Sequence, residues 1–558
     1  MFQRFGGIDQ HSGDLAMDPT SAVDLRNVDL HPVGEIRTRG GMRSLGVAGD
    51  PSEIFGIAML EAGGELYMYA AQANSLRTSV AGAWEWSSGA DWAAVSATFA
   101  AARYGVEETE PADHHPDAHG TSLYVTNGVG IPWVVWGTGG EEMPKLDYSA
   151  ETAGVPTKDA GGPEWRDWEE HPPTGICAIG HGTTEQLLAW GFDDDPARID
   201  YSALRLPWHF GRANLTGATE EPLEDGGWFY ALADDADVVI GAIQHLSRIV
   251  VFKRRTTIVY SGFPGDDLAI ENIFPVGCTS YKSVVRVGNE LMWWSDQGPV
   301  TLVGVQQFGD LQYASVADPI RRTVSSTSAA AAAGAFAVSD RRNMRVIWFL
   351  PSSTTPLAVV YYYDSPRRWT IFDGPIAELT CAMDGLANAG GDIVVYGGDA
   401  DGLVHELLLN TSDNDAPISA YYHTAWQALA QHETRKRALF VDLMYGASGA
   451  IGATVGIAWD YVAIASDMGE QVRALGSAFV GWNEATWWSR ADADVWEEDG
   501  TLPAGQANPG FWNNTTRLIS RFAMTGTGFI YQLQLSNASA NAMNFAGWRA
   551  FLSERGQR

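Results

Sequence analysis

Lysine is nearly missing from these 558 residues: Lys145, Lys158, Lys253, Lys282 and Lys436 are the whole set, and arginine supplies the rest of 36 basic residues facing 68 acidic ones. A formal charge of −32 argues against a surface that grips phosphates regardless of sequence, because such a surface needs clustered Lys and Arg. Cysteine is scarcer still. Cys177, Cys278 and Cys381 stand singly, each in or beside an apolar run, so buried reduced thiols are expected rather than a disulfide framework or a zinc site. No stretch reaches the roughly 18 apolar residues of a membrane span. The opening MFQRFGGIDQHSGD lacks an apolar leader core, so the chain is expected to fold in the cytoplasm without a membrane anchor. Two catalytic signatures are also missing. No Gly-x-Ser-x-Gly elbow occurs, Gly446-Ala447-Ser448 lacking its second Gly, and no Gly-x-x-x-x-Gly-Lys phosphate loop occurs. Neither an enzyme nor a cofactor is expected.

What is present is apolar, aromatic and rich in turns: 45% hydrophobic residues, 22 Trp and 61 Gly. The stretch 248–304 displays the pattern best. Apolar runs at 249–252, 257–260, 284–287, 291–294 and 300–303 alternate with turn chemistry such as Gly288-Asn289 and Ser295-Asp296-Gln297-Gly298. β-branched and aromatic residues suit a pleated surface, and Gly, Asn and Asp accept the positive φ of tight turns. No helical period fits, so antiparallel hairpins in series are expected. The paired aromatics Trp293-Trp294 and those of Tyr361-Tyr362-Tyr363 should point alternately inward and outward, leaving half exposed or at interfaces.

The strand, turn, strand arrangement recurs from 65, 122, 186, 248, 290, 344 and 392, at spacings of about 40 to 65 residues. A fixed-size sheet repeated around an axis is the expectation, with six, seven or eight blades left open. Segments 139–173 and 206–237 are read as long insertions, and Ala-rich 325–337 as a short helix or a strand entry. At 411–417 a linker-like TSDNDAP precedes six or more alternating strands. The predicted fold is therefore all-β: an irregular β-propeller over 1–409 and a β-sandwich over 410–558. Charge is uneven as well. Up to Asp237 there are 38 acids and 13 bases, and beyond it 30 acids and 23 bases.

The opening AVDLRNVDLHPVGEIRTRGGMRSL, with Asn27, Asp29, Gly34, Arg37, Arg39 and Gly40, resembles the N-terminal signature of the tail nozzle proteins that stabilise packaged DNA in short-tailed bacteriophages. The central IVVFKRRTTIVYSG and VGCTSYKSVVRVGNELMWWSDQGPVTL are similar to that family's mid-propeller block, with its Gly-Cys-x-x-x-x-Ser turn. The resemblance implies a structural virion protein forming a homo-hexameric ring. It would sit below the adaptor (the head-to-tail connector), carry tail fibres or tailspikes, and pass genomic double-stranded DNA through its lumen without specific binding. Acids on such a wall would repel phosphates, since a duplex carries about one negative charge per 1.7 Å of axis. Arg37, Arg39 and Arg43 are interface candidates facing an acidic neighbour. Trp482, Trp487, Trp488, Trp496 and Trp512 are interface candidates in a Trp-rich loop, because Trp anchors protein contacts.

Chemistry-bearing residues have plainer readings beside the sharper ones. His114, His115 and His119 with Asp113 and Asp117 invite a metal, yet match no usual ligand spacing and read as a solvated loop. Asp193-Asp194-Asp195 and Asp399-x-Asp401 invite Ca²⁺, but lack the distal Glu of a calcium loop and read as turns. A sialidase would need an arginine cluster, and Arg341-Arg342, Arg345 and Arg367-Arg368 are read as turn residues. The alternative of another class is a carbohydrate-binding propeller acting in receptor recognition.

Overall fold

The computed structural model describes residues 3–13, 16–47, 51–62, 65–72, 75–80, 90–91, 100–105, 121–130, 132–136, 139–142, 168, 171–180, 185–204, 210, 226–232, 236–305, 310–352, 354–386, 393–428, 434–445, 451–461, 471–475, 518–523, 527–537 and 544–554. Over these residues the chain is all-β and made of small antiparallel sheets. Seven four-stranded sheets follow one another. The first comprises Gly56–Ala62, Glu65–Gln72, Ser75–Val80 and Ala90–Asp91, and the second Ala100–Gly105, Thr121–Thr126, Trp133–Trp136 and Gly139–Glu142. The third runs through Gly175–Ile179, Gln186–Trp190, Arg198–Tyr201 and Gly227–Tyr230, and the fourth through Val239–His245, Arg248–Lys253, Thr257–Ser261 and Ala269–Phe274. Val285–Val287, Glu290–Ser295, Gly298–Val305 and Asp310–Ser315 make the fifth, and Phe336–Asp340, Arg345–Leu350, Leu357–Tyr362 and Arg368–Phe372 the sixth. The seventh takes Cys381–Leu386, Ile393–Gly398 and Leu403–Asn410 from one end of the chain and its fourth strand, Gly41–Val47, from the other.

Each repeat seen in the sequence falls on the second strand of one sheet, and six of the seven extend over the third. Two expected insertions shorten accordingly. Gly139–Glu142 and Gly227–Tyr230 are fourth strands, too short and too glycine-rich at their starts to announce themselves. The Ala-rich stretch holds a helix, Ala329–Ala333, capped where Ser328 Oγ accepts from the Ala331 amide at 3.1 Å.

Side chains on the central strands are buried on both faces, because the sheets pack face to face against one another. Ile249 and Val251 meet Leu188 and Trp190 of the third sheet, while Val250 and Phe252 meet Leu291 and Trp293 of the fifth. Met68 and Ala70 of the first sheet meet Tyr396 and Val404 of the seventh, and Tyr69 and Ala71 meet Leu123 and Val125 of the second. This corrects the expectation for the paired aromatics. Trp293, Trp294, Tyr361 and Tyr362 are all buried, since period-2 alternation here sends residues to two different cores instead of to core and solvent.

Two larger sheets are also present among the described residues. One orders Ala22–Arg26, Ala420–Thr424, Tyr531–Asn537, Ile451–Trp459 and Gln471–Leu475; the other orders Val28–Asp29, Ile36–Thr38, Asn544–Glu554, Lys436–Tyr445 and Leu518–Ala523, with Thr527–Gly528 beside Lys436–Tyr445. Leu25, Val28, Ile36, Tyr422, Leu443, Val455, Leu533 and Trp548 share their core. The first three strands of the chain therefore pair among strands that lie beyond residue 410. The expected linker at 411–417 is a tight hairpin, Ser412–Asp413 against Ala416–Pro417, turning on Asn414 and Asp415 at φ 46° and 70°.

Candidate functional site

Two groups of residues converge from distant parts of the chain, and both coincide with the sequence motifs above. The first lies where residues 27–39 cross the sixth sheet. Asn27 sits in the left-handed region at φ 55°, which Asn tolerates better than most residues. Its amide nitrogen donates to Asp373 Oδ1 at 2.5 Å and to the Ser419 carbonyl at 2.8 Å, and its amide oxygen accepts from Arg39 Nε at 2.9 Å and the Asp373 amide at 3.0 Å. Arg39, 1% exposed, grips both carboxylate oxygens of Asp413 at 2.9 and 2.6 Å. Asp29 accepts from the Tyr362 hydroxyl at 2.7 Å and from Arg345 Nη1 at 3.1 Å, and Arg345 in turn pairs with Asp340 at 2.8 Å. Arg368 donates to both oxygens of Asp364, at 2.9 and 2.8 Å, and to the Leu30 carbonyl. Removing one member of such a buried pair strands the other charge.

These contacts decide the fate of the arginine candidates. Arg39 is spent inside the chain, so an intersubunit role for it is replaced by the bond to Asp413. Arg37 lies near Glu35 at 3.5 Å and is 44% exposed; Arg43 pairs with Glu406 and is 59% exposed. Arg345 and Arg368 are buried strand residues, whereas Arg341 and Arg342 occupy an exposed turn, so the reading of all of them as turn residues fails for the first two. The five tryptophan candidates Trp482, Trp487, Trp488, Trp496 and Trp512, and the His114 to His119 run, lie outside the described residues.

The second place is a cavity of about 630 Å³ reached by Phe55, Trp190, Ile240, Tyr281, Gly334 and Thr380, which come from the approaches to six different sheets or from the sheets themselves. The Gly277-Cys278-Thr279-Ser280-Tyr281-Lys282-Ser283 turn builds its centre. Trp293 Nε1 donates to the Gly277 carbonyl at 3.0 Å, Thr279 Oγ1 to the Trp294 carbonyl at 3.1 Å, and Trp348 Nε1 to the Ser283 carbonyl at 3.1 Å. Ser283 Oγ bridges the Ser280 carbonyl and the Trp294 amide. So fixed, Tyr281 stands edge-on to Trp190 with ring centres 4.9 Å apart, and Lys282 Nζ reaches across to the Phe55 carbonyl at 3.1 Å. Close approach is needed: a Cβ at Gly241 would lie 2.1 Å from the Tyr281 ring, and one at Gly175 would lie 2.3 Å from that of Trp190. Burial lowers the Lys282 pKa. Burial likewise pushes the thiols of Cys177 and Cys278 up to about 12 and that of Cys381 to about 11, leaving them protonated and unreactive at neutral pH.

Sequence reasoning missed the lysines. Lys253 donates to the carbonyls of Ala231 and Leu232 at 2.7 and 3.1 Å, and Lys436 to those of Ala428 and Phe529 at 2.9 and 3.3 Å. With Lys282, all three described lysines tie strand ends together from inside the protein. A lysine closing an apolar strand, as in IVVFK, was the available signal. The other acidic candidates are local: Asp399 Oδ1 accepts from the amides of Asp401 and Leu403 at 2.9 and 2.8 Å in the expected hairpin turn, and its other oxygen meets His405 Nε2 at 2.7 Å. Asp193 and Asp194 lie beside His171, at 2.8 and 3.7 Å from its Nδ1. Among the described residues no helix is long and apolar enough to cross a membrane. No protein-family model matches the chain, and no curated protein matches it.

Proposed function

We propose that the seven four-stranded sheets form a closed, irregular β-propeller, that the two larger sheets form a β-sandwich, and that the protein is a non-enzymatic structural subunit of the ring-shaped tail nozzle of a short-tailed phage. Six copies would extend the adaptor, carry the tail fibres or tailspikes, conduct the genome and help retain it. Support for closure comes from neighbouring strands: Ala100–Gly105 touches Gly175–Ile179, which touches Val239–His245, and Val285–Val287 touches Phe336–Asp340, which touches Cys381–Leu386, which touches Gly56–Ala62. The observation that carries the functional reading is the use made of the two motifs behind the resemblance. One holds the N-terminal segment to the sixth sheet through Asn27 and Asp29, just ahead of the strand that completes the seventh; the other sets Tyr281 against Trp190, in what would be the middle of the proposed ring.

In such a propeller Tyr281, Trp190 and Lys282 would stand around the middle of a single copy, and a duplex of about 20 Å would pass between copies and not through one propeller. An acidic balance of −25 up to Asp237 suits a wall along which DNA slides without sticking. The test is the mass of the purified protein with negative-stain images: rings of about six chains around a hole wide enough for a duplex support the nozzle, and rings too narrow to admit one exclude it. A second reading, carbohydrate recognition, is favoured by the cavity, where Trp190 and Tyr281 lie among Thr174, Ser280, Ser352 and Thr380. A monomer that binds a glycan, and loses it on Tyr281→Ala, would establish that reading instead.

A further inference from the structure

We propose that His171, Asp193 and Asp194 form a binding site for one divalent transition-metal ion of borderline hardness, with Zn²⁺ as the probe ion. One ligand atom from each lies within 4.8 Å of the other two, and His171 Nδ1 is 2.8 Å from Asp193 and 3.7 Å from Asp194. Metal–ligand bonds of about 2.0 to 2.2 Å place ligand atoms roughly 3 to 4.4 Å apart, so the three need only small rotations to share an ion. Their supports are fixed independently of the ion. Asp193 and Asp194 sit on the hairpin between Gln186–Trp190 and Arg198–Tyr201, closed by the Arg198 amide donating to the Asp195 carbonyl at 3.2 Å. His171 leads into Gly175–Ile179, and the Thr174 amide donates to the Trp190 carbonyl at 3.0 Å, which pins its segment beside the hairpin. The donor set chooses the ion. One imidazole with two carboxylates suits Zn²⁺, Co²⁺ or Mn²⁺ and leaves positions for water, whereas Ca²⁺ takes six to eight oxygens and gains little from a ring nitrogen. The surrounding segment favours any cation, since the chain up to Asp237 carries 38 acids against 13 bases.

An ion held here would staple the segment at His171 to the third sheet and, binding the folded state alone, would raise the melting temperature with metal concentration. The site is independent of the nozzle reading. Because His114, His115 and His119 offer a competing set, the measurement starts from the full-length chain with all three changed to Ala, stripped with chelator and titrated with Zn²⁺ by calorimetry. One equivalent is expected, weakened at least about tenfold by either His171→Ala or Asp193→Asn, as loss of a direct ligand should be at least as costly as loss of a supporting one. The Co²⁺ form should show weak d–d bands of nitrogen and oxygen ligation and no thiolate charge transfer. Circular dichroism confirms that each variant is folded. Absence of binding in the triple-Ala background, or binding that His171→Ala leaves unchanged, overturns the proposal.

Discussion

The fourth strand of the sixth sheet and the fourth strand of the fourth sheet hold the same place in the same repeating unit, yet Arg368–Phe372 is buried along its whole length and Ala269–Phe274 is largely bare. Their sequences, RWTIF and AIENIF, do not foretell the difference. The chain's own N-terminal segment covers the first. The Ile8 amide donates to the Trp369 carbonyl at 3.0 Å, the Asn27 amide to that of Ile371 at 2.9 Å, and Thr370 Oγ1 to the Val28 carbonyl at 2.8 Å across 342 positions of sequence. Nothing comparable lies over the second among the described residues. There a bulge between Val259 and Tyr260 pairs Ile273 with Ile258 and Ile270 with Tyr260, which brings both isoleucines to one face, 49% and 46% exposed. An outer strand is thus protected or left open by a distant segment and not by its own residues.

Substitutions on the covered side should cost the most. Trp369→Ala should cost about 3 to 5 kcal/mol in denaturant unfolding, the usual loss for a buried Trp. Arg39→Ala should cost a similar 3 to 5 kcal/mol by stranding buried Asp413, whereas Arg254→Ala, whose partner Asp296 is exposed, should cost under about 1 kcal/mol. Equal losses for the two arginines would remove Arg39 from its place as the clasp. Thr370→Val, which keeps shape but leaves the Val28 carbonyl without this donor, should cost about 1 kcal/mol. On the bare side Ile273→Thr should stay within about 0.5 kcal/mol, as surface changes do; a loss above about 2 kcal/mol would mean the strand is covered after all.

Two buried histidines make stability depend on pH. Burial holds the pKa values of His245, at the end of the first strand of the fourth sheet, and of His423, between the N-terminal strand and the rest of its sheet, below the ordinary 6.5. Above pH 6.5 both states are neutral and neither residue costs anything. As pH falls below 6.5 the unfolded chain takes up protons that the folded chain refuses, so stability drops through that window. His245→Gln and His423→Gln should each flatten the acid limb of the stability curve. A limb unchanged by both would place the acid sensitivity elsewhere.

Much of the fold was legible because its unit is local. Each repeat is two apolar strands around a tight turn, and residues a few positions apart determine it: Gly288 at φ 57° and Gly298 at φ 91° turn where the sequence marks turns. Fourth strands were harder to see, because Gly139–Glu142 has no apolar pattern and pairs only with a strand already in place. The chemistry of Arg39, Arg345 and Arg368 was not legible at all. Arg39 in a basic-looking hairpin reads as an exposed charge until Asp413 reaches it, and Arg345 and Arg368 read as turn residues until the distant N-terminal segment covers them with Asp29 and the Leu30 carbonyl.

By itself, then, the sequence determined the class, the repeat and the turns, because period-2 patterning and positive-φ residues act over a few positions. Tertiary structure alone decided that the fourth strand of the seventh sheet comes from residues 41–47, that the first three strands join sheets made after residue 410, and that Tyr281 meets Trp190 while Lys282 reaches the Phe55 carbonyl. Each of those outcomes joins segments far apart in the chain, and for the strand pairings edges are interchangeable in hydrogen-bonding chemistry, so only the assembled geometry selects the partner.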